Sequence, residues 1–294
     1  MACFVDSKYL NIENGGFIRC NSIINKIEEY QSKNNCNIII KNKNDLLEAL
    51  KNVEINIGNS VKKIENGSDN IETSSETKVI LSIENGFAIS GDLDNVEYFY
   101  NKGVRIASIT WNDDNELGCG AKTKNDNGLT ELGKKYVNKL NDYGILVDVS
   151  HLSEKSFWEV VSITNKPIIA THSNVYNLCK NPRNLKDEQI KAIAKSGGII
   201  GICFYSDFLN NQKRANIKDI VKHIKYIKDL VGIDYIGFGS DFDGMNVEKT
   251  AEGVENISFI NNITEELKRQ CFSCEEIVKI MWNNWSNVLK KSLL

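Results

Sequence analysis

Ile145-Leu-Val-Asp-Val-Ser-His151 and Pro167-Ile-Ile-Ala-Thr-His172 are two apolar, β-branched runs, each ending on a histidine and each leading into a helix-like segment. The chain holds only three histidines, so two of them at matched positions decide the reading of the fold. Side chains at the C-terminal ends of successive parallel strands converge on one mouth, where α/β barrels keep their chemistry. The same alternation of short apolar run and amphipathic stretch repeats from Lys78 onward. Strands are expected near Val79-Ile83, Arg105-Trp111, Ile145-His151, Ile168-His172, Gly198-Tyr205 and Tyr235-Asp241. Helices are expected near Asn95-Lys102, Thr130-Tyr143, Glu154-Ile163, Asp187-Lys195 and Ile217-Val231, with two more near Asn256-Lys268 and Glu275-Lys291. Repeated βα units predict a parallel sheet and an α/β fold of the TIM-type (β/α)8 barrel class. Ser153 and Asn184 offer capping side chains, and Gly144, Gly197 and Gly232 stand where helices should stop.

Ahead of Lys78 the pattern thins. Cys3-Phe-Val-Asp6 reads as a short buried strand, Phe17-Gln31 as a helix and Asn37-Ile40 as another strand, while 52–77 is rich in turn formers and reads as a polar, mobile loop. Six strands follow Lys78 and one or two precede it, whereas a closed barrel needs eight. The expectation is a single barrel domain over 1–294, incomplete, with its first strand missing.

The 36 basic and 39 acidic side chains leave a net charge of -3 and no basic stripe, which argues against a nucleic-acid partner. No apolar stretch approaches the roughly 20 residues that span a bilayer, and Met1-Ala-Cys-Phe-Val-Asp6 is too short and too soon acidic for a signal peptide. A cytoplasmic location is the expectation. Eight scattered cysteines lack the density of a disulfide scaffold, and Cys271-Phe-Ser-Cys274 has no second pair to complete a zinc cage, so packing and capping are its expected roles.

Glu84, His151, His172 and Asp241 all fall at expected strand ends. Neutral imidazoles with a carboxylate suit zinc, and a further carboxylate is what a hydrolase needs to take a proton from an activated water. Singly, a strand-terminal histidine is more often a satisfied structural residue and a lone acid a cap; four such residues together favour a site. His223 has helical spacing in Ile220-Val-Lys-His223 and reads as structural. Asp243 beside Gly244 reads as a turn former. Asp148 either fixes a ring nitrogen of His151 or His172 or makes a plain buried polar link. Arg183, in the loop after His172, either clamps a substrate carboxylate or is a solvated loop charge. Trp111 with Asn112 either walls the pocket or packs.

Taken together, these segments resemble the membrane (renal) dipeptidase family, a branch of the metal-dependent amidohydrolase-like barrels. The stretches that carry the resemblance are Leu81-Ser-Ile-Glu84-Asn-Gly86, Gly103 through Asn112 with Asn115-Glu-Leu-Gly118, Gly144 through Ser153, Thr171-His172-Ser173, Asn181-Pro-Arg-Asn184 and Ile236-Gly-Phe-Gly-Ser-Asp-Phe-Asp-Gly244. It runs from about Lys78 to the C-terminus. The resemblance implies a carboxylate at Glu84 that bridges two zinc ions, His151 and His172 as ligands of the second zinc, and Asp241 as the acid/base. It implies Arg183 as the contact for a dipeptide's C-terminal carboxylate. Trp111-Asn112 stands where mammalian members have a substrate-binding histidine.

Family members open on a strand ending in His-x-Asp, and no His-x-Asp occurs in this sequence. Either Asp6-Ser-Lys-Tyr-Leu10 is a degenerate first strand, or Cys3 through Tyr9 matches the family's second strand and the first is absent; the helix that follows favours the second alignment. The metal count expected here is therefore one or none. The functions in contention are a zinc-dependent dipeptidase, a truncated and weak or inactive relative that binds one metal or a small peptide, and an amidohydrolase acting on other small amides or lactones. An open strand edge would also invite a homodimer.

Overall fold

The computed structural model describes residues 1–51, 77–211 and 214–293. The polar stretch expected over 52–77 lies, apart from residue 77, outside the described residues.

Among the described residues seven strands are formed: β1 (Ala2–Phe4), β2 (Leu81–Glu84), β3 (Val104–Ser108), β4 (Leu146–Asp148), β5 (Ile168–Ile169), β6 (Ile200–Ile202) and β7 (Ile236–Phe238). Every ladder is parallel. The order β1-β2-β3-β4-β5 makes one sheet and β6-β7 a second, and a single bridge, Ala170 to Ile200, joins the two. Of the expected incomplete TIM-type barrel, the α/β fold and its parallel strands are present, seven of them among the described residues, and no β1 to β7 pairing closes a ring among those residues. Asn37-Ile40, expected as a strand, contributes one bridge, Ile39 to Val79. Around it the Ile40 N–H bonds the Val79 carbonyl at 2.9 Å and the Val79 N–H the Ile38 carbonyl at 2.8 Å, but the N–H groups of Ile38 and Ile39 both bond the Gln31 side-chain oxygen near the helix end, and the chain turns helical over 43–51.

Every residue of β3, β4, β5 and β6 is buried, as expected of parallel strands covered on both faces. Successive strand side chains point to opposite faces, and the two faces feed two clusters. Ala107, Val147, Ile168 and Ile200 join one contiguous core that runs from Cys3 to Ile280. Ile106, Leu146, Ile169 and Ile199 pack instead on Leu46, Leu50, Val288 and Leu289, so the helical run at 43–51 and the last helix stopper the inner face.

Helices form at Gly15–Asn34, Asp94–Lys102, Glu131–Asp142, Glu154–Ile163, Asp187–Lys195 and Ile217–Val231. Ser153 caps the fourth, accepting from the Ser156 amide at 3.2 Å, and Gly197 (φ 78°) and Gly232 (φ 98°) take positive φ angles where helices stop. Two expectations are corrected. Asn184 does not cap Asp187–Lys195; its amide donates to the carbonyls of Cys179 and Phe208, both at 2.8 Å, and so ties two loops. Asn256-Lys268 opens as a 3-10 turn over Ile257–Phe259, set by the Asn256 side chain accepting from the Ser258 amide, before the helix Ile260–Arg269. Glu275-Lys291 is helical as expected, in one continuous run made of Cys274–Val278, a π-helical turn Lys279–Asn283 and Asn284–Ser292. Cys271 and Cys274 are free and exposed, so neither packs in the core.

His223, on Ile217–Val231, is fully buried. Its Nδ1 accepts from the Val175 amide at 3.0 Å and its Nε2 donates to the Leu209 carbonyl at 3.0 Å. One neutral imidazole thus pins the loops after β5 and β6 to an outer helix. Burial lowers its pKa to about 4, below the roughly 6.5 of an unfolded histidine. The neutral form is the folded form, so this stabilisation is whole above about pH 6.5 and is lost as pH falls toward 4. The drop is about 3 kcal/mol. Denaturant unfolding at pH 7.5 and 4.5 should show a His223→Gln variant losing that much less stability than the parent; equal losses would refute the assignment.

Candidate metal centre

The strand ends place the chemistry. Glu84 is the last residue of β2, while His151, His172 and Asp241 each stand three residues beyond the last residue of β4, β5 and β7. Parallel register carries this through: Asp148 pairs with Ile169, so the two histidines leave their strands at the same level. His151 (φ 71°) and Asp241 (φ 60°) take left-handed backbone conformations, which cost non-glycine residues about 1–3 kcal/mol and cluster at functional sites. Around His151 the backbone is held from outside, its carbonyl accepting from the Ala121 amide at 2.7 Å and from Thr110 Oγ1 at 3.2 Å.

Glu84, His151 and His172 offer ligand atoms within 4.8 Å of one another. The two Nε2 atoms are 2.8 Å apart, and Glu84 Oε1 lies 3.1 Å from His151 Nε2 and 3.7 Å from His172 Nε2. All three side chains are largely buried. The far ring nitrogens explain which way the lone pairs point. His151 Nδ1 faces Asn112 Oδ1 at 2.9 Å, an acceptor, so the proton sits on Nδ1. His172 Nδ1 faces Thr171 Oγ1 at 2.8 Å, and that hydroxyl spends its own proton on Asp148 Oδ2 at 2.5 Å. The proton of His172 is therefore on Nδ1 as well. Two nitrogen lone pairs and a carboxylate oxygen then converge with nothing positive between them, an arrangement that fits a divalent cation such as zinc.

Electrostatics agree. Burial pushes Glu84 up to about 8, helped by the charges of Asp241 and Asp148 and opposed by Arg183. Burial and the Arg183 charge bring His172 down to about 3 and hold His151 well below its usual value. Asp241 is raised to about 6, by burial first and by Asp243 after it, against Arg183. Glu84 and Asp241, both raised by burial, are charged together more readily when a cation stands beside them.

Arg183 is itself buried. Its Nη2 donates to the His172 carbonyl at 3.3 Å, its guanidinium carbon lies 5.5 Å from the centre of the Phe208 ring, and its Nε has no hydrogen-bond partner. The solvated-loop reading of this charge is thereby excluded. Trp111 stands edge-on to Phe4 at 5.3 Å and 6.0 Å from the His151 ring. Asn112 orients His151. Asp148 reaches His172 through Thr171, a link that spacing did not reveal; its one trace in the sequence is a hydroxyl residue immediately before a strand-end histidine. Asp243 is exposed and belongs to the 3-10 turn Phe242–Gly244.

A family model, that of the membrane dipeptidases (peptidase family M19), matches residues 17–293. The chain belongs to this family. It is 33% identical over 233 residues to an uncharacterised protein of Klebsiella pneumoniae, covering 75% of this chain and 85% of that one. With an uncharacterised dipeptidase of Schizosaccharomyces pombe it shares 27% identity over 275 residues, covering 90% of this chain and 66% of the relative. The fold is similar to that of a Rhodobacter sphaeroides metallopeptidase liganded with a phosphinate mimic of the dipeptide L-Ala-D-Ala (TM-score 0.69, 28% identity, 74% of this chain and 64% of that one). An amidohydrolase of Pseudomonas aeruginosa, 24% identical with a TM-score of 0.78 over 99% of this chain and 87% of its own, shares the fold. The M19 chain thus spans about two thirds of the length of the yeast relative and of the bacterial metallopeptidase. No helix among the described residues is long and apolar enough to cross a membrane.

Proposed function

We propose that this M19 chain is a zinc-dependent hydrolase of the dipeptidase type, built as a single domain on an incomplete TIM-type barrel. The observation that carries the reading is the convergence of Glu84 Oε1 with two Nε2 lone pairs whose far nitrogens are each held by an acceptor. Membership of a metallopeptidase family supports it, as does the dipeptide mimic held by the Rhodobacter relative.

In this reading Glu84, His151 and His172 hold zinc. The chemistry a bound zinc ion supplies is Lewis acidity, which polarises a carbonyl and makes water a stronger acid. Asp241, raised to about 6, accepts a proton from the attacking water and returns it to the departing amine, a task suited to a pKa near neutrality. Arg183 offers its buried guanidinium to the substrate's free carboxylate, a bidentate match that selects short peptides. Trp111, backed by Phe4, walls the pocket beside His151.

A second reading, a relative that binds one metal or a small peptide without turnover, is favoured by one feature. Among the described residues the only candidate metal cluster has three ligands, and Lys8, which with Leu10 would replace the ligands of a degenerate first strand, is exposed and pairs with Asp6 at 3.6 Å. Because β1 lies directly against β2 in parallel register, Cys3 through Tyr9 fits the alignment to the family's second strand. Elemental analysis of the purified chain, with hydrolysis of a simple dipeptide with and without added zinc, decides. We expect one zinc per chain and zinc-dependent turnover; absence of turnover, with or without bound zinc, would overturn the first reading in favour of the second.

A further inference from the structure

We propose that Asn284 and Trp285 are positioning residues for Asp241, holding the outer edge of β7 where a neighbouring strand would otherwise bond. The inference rests on reading Asp241 as the proton carrier.

Backbone groups along a strand point alternately to its two sides. In β7 the β6 side is used by the Gly239 amide, bonded to the Ile202 carbonyl at 3.0 Å, so the carbonyls of Ile236 and Phe238 face the other way. There Asn284 Nδ2 donates to the Ile236 carbonyl at 2.8 Å and also to the Ile233 carbonyl at 2.8 Å. Trp285 Nε1 donates to the Phe238 carbonyl at 3.0 Å. Side-chain donors therefore replace a ladder on that edge. Consecutive residues of a regular α-helix point about 100° apart, and the π-helical turn Lys279–Asn283 immediately before the pair changes the helix phase at this place.

The fit is close along one face of the strand, since positions 237 and 239 point the same way. A Cβ at Gly237 would come within 2.4 Å of Trp285 Nε1, and a Cβ at Gly239 within 1.9 Å of the carbonyl oxygen of Thr171, the residue next to His172. The indole and the strand end that carries a candidate metal ligand thus both press on that face of β7. Three residues beyond Phe238 the chain reaches Asp241 in its left-handed conformation. Loosening the outer edge lets β7 move away from Thr171 and takes the Asp241 carboxylate with it.

Trp285→Phe keeps the ring and deletes one donor; Asn284→Asp keeps the shape and deletes two. Hydrogen exchange of the full chain is the primary readout. One lost hydrogen bond of about 1 kcal/mol corresponds to roughly fivefold faster exchange, and we expect that acceleration within 236–241 while 145–172 is unchanged and zinc affinity is retained. In the zinc-loaded protein kcat should fall by a similar factor with KM within about twofold of the parent. Unchanged exchange in 236–241, or equal acceleration across all strands, would overturn the clamp. A parent without dipeptide turnover would refute the proposed activity alone, because the exchange experiment still decides the clamp.

Discussion

Binding of one zinc ion at pH 7 should release about one proton per chain, and that proton should come from Glu84. Burial and the neighbouring acids lift Glu84 to about 8 without the metal, so near neutrality its carboxyl is largely protonated and must ionise to become a ligand. His172, down to about 3, and His151, also depressed, are already neutral and release nothing. Two pH dependences of opposite sign follow. Apparent zinc affinity climbs about tenfold per pH unit up to about pH 8 and then levels. The metal-free chain, in which the folded state holds the Glu84 proton more tightly than the unfolded state, loses stability as pH rises from about 4.5 to about 8. Titration calorimetry in buffers of different ionisation enthalpy counts the protons directly. Glu84→Gln should abolish the release and weaken zinc by more than about 100-fold, since loss of an outer partner alone costs 10–100-fold. Release that persists in Glu84→Gln would assign the proton to another group.

Replacing Asp241 with Asn should lower kcat by about 10²–10⁴, the usual contribution of a positioned general base, with zinc content intact because the proposed ligand atoms are those of Glu84, His151 and His172. Asn keeps the shape beside Gly244, whose absent side chain leaves the carboxylate its room: a Cβ there would come within 2.1 Å of Asp241 Oδ1. The left-handed backbone is also tolerated, since Asn accepts φ > 0 as readily as Asp. A kcat within about threefold of the parent would remove Asp241 from the chemistry; loss of zinc together with activity would make it a ligand instead.

Much of this molecule is legible in the chain. Apolar runs that end on Glu84, His151, His172 and Asp241 forecast β2, β4, β5 and β7 and the shared rim, because a parallel βα repeat forces strand ends to one side. The helices Glu154–Ile163, Asp187–Lys195 and Ile217–Val231 begin and end where the sequence puts them, since glycine stops and apolar periodicity are local properties. His223 was readable as structural from helical spacing alone.

What stayed hidden depends on which atoms meet across long separations in sequence. The Asp148–Thr171–His172 relay joins residues more than 20 positions apart; Asn112 finds His151 39 positions away; Asn184 leaves its expected cap to tie the loops that enclose Arg183. Nothing in Glu275-Lys291 announces the π turn Lys279–Asn283, and just after it Asn284 and Trp285 meet β7 carbonyls some 48 positions upstream. Residue types and their periodicity settled the strands, the helices and the candidate ligands. Only packing in three dimensions determined the tautomers, the burial that moves each pKa and the number of strands that pair, because hydrogen-bond partners and desolvation belong to neighbours in space.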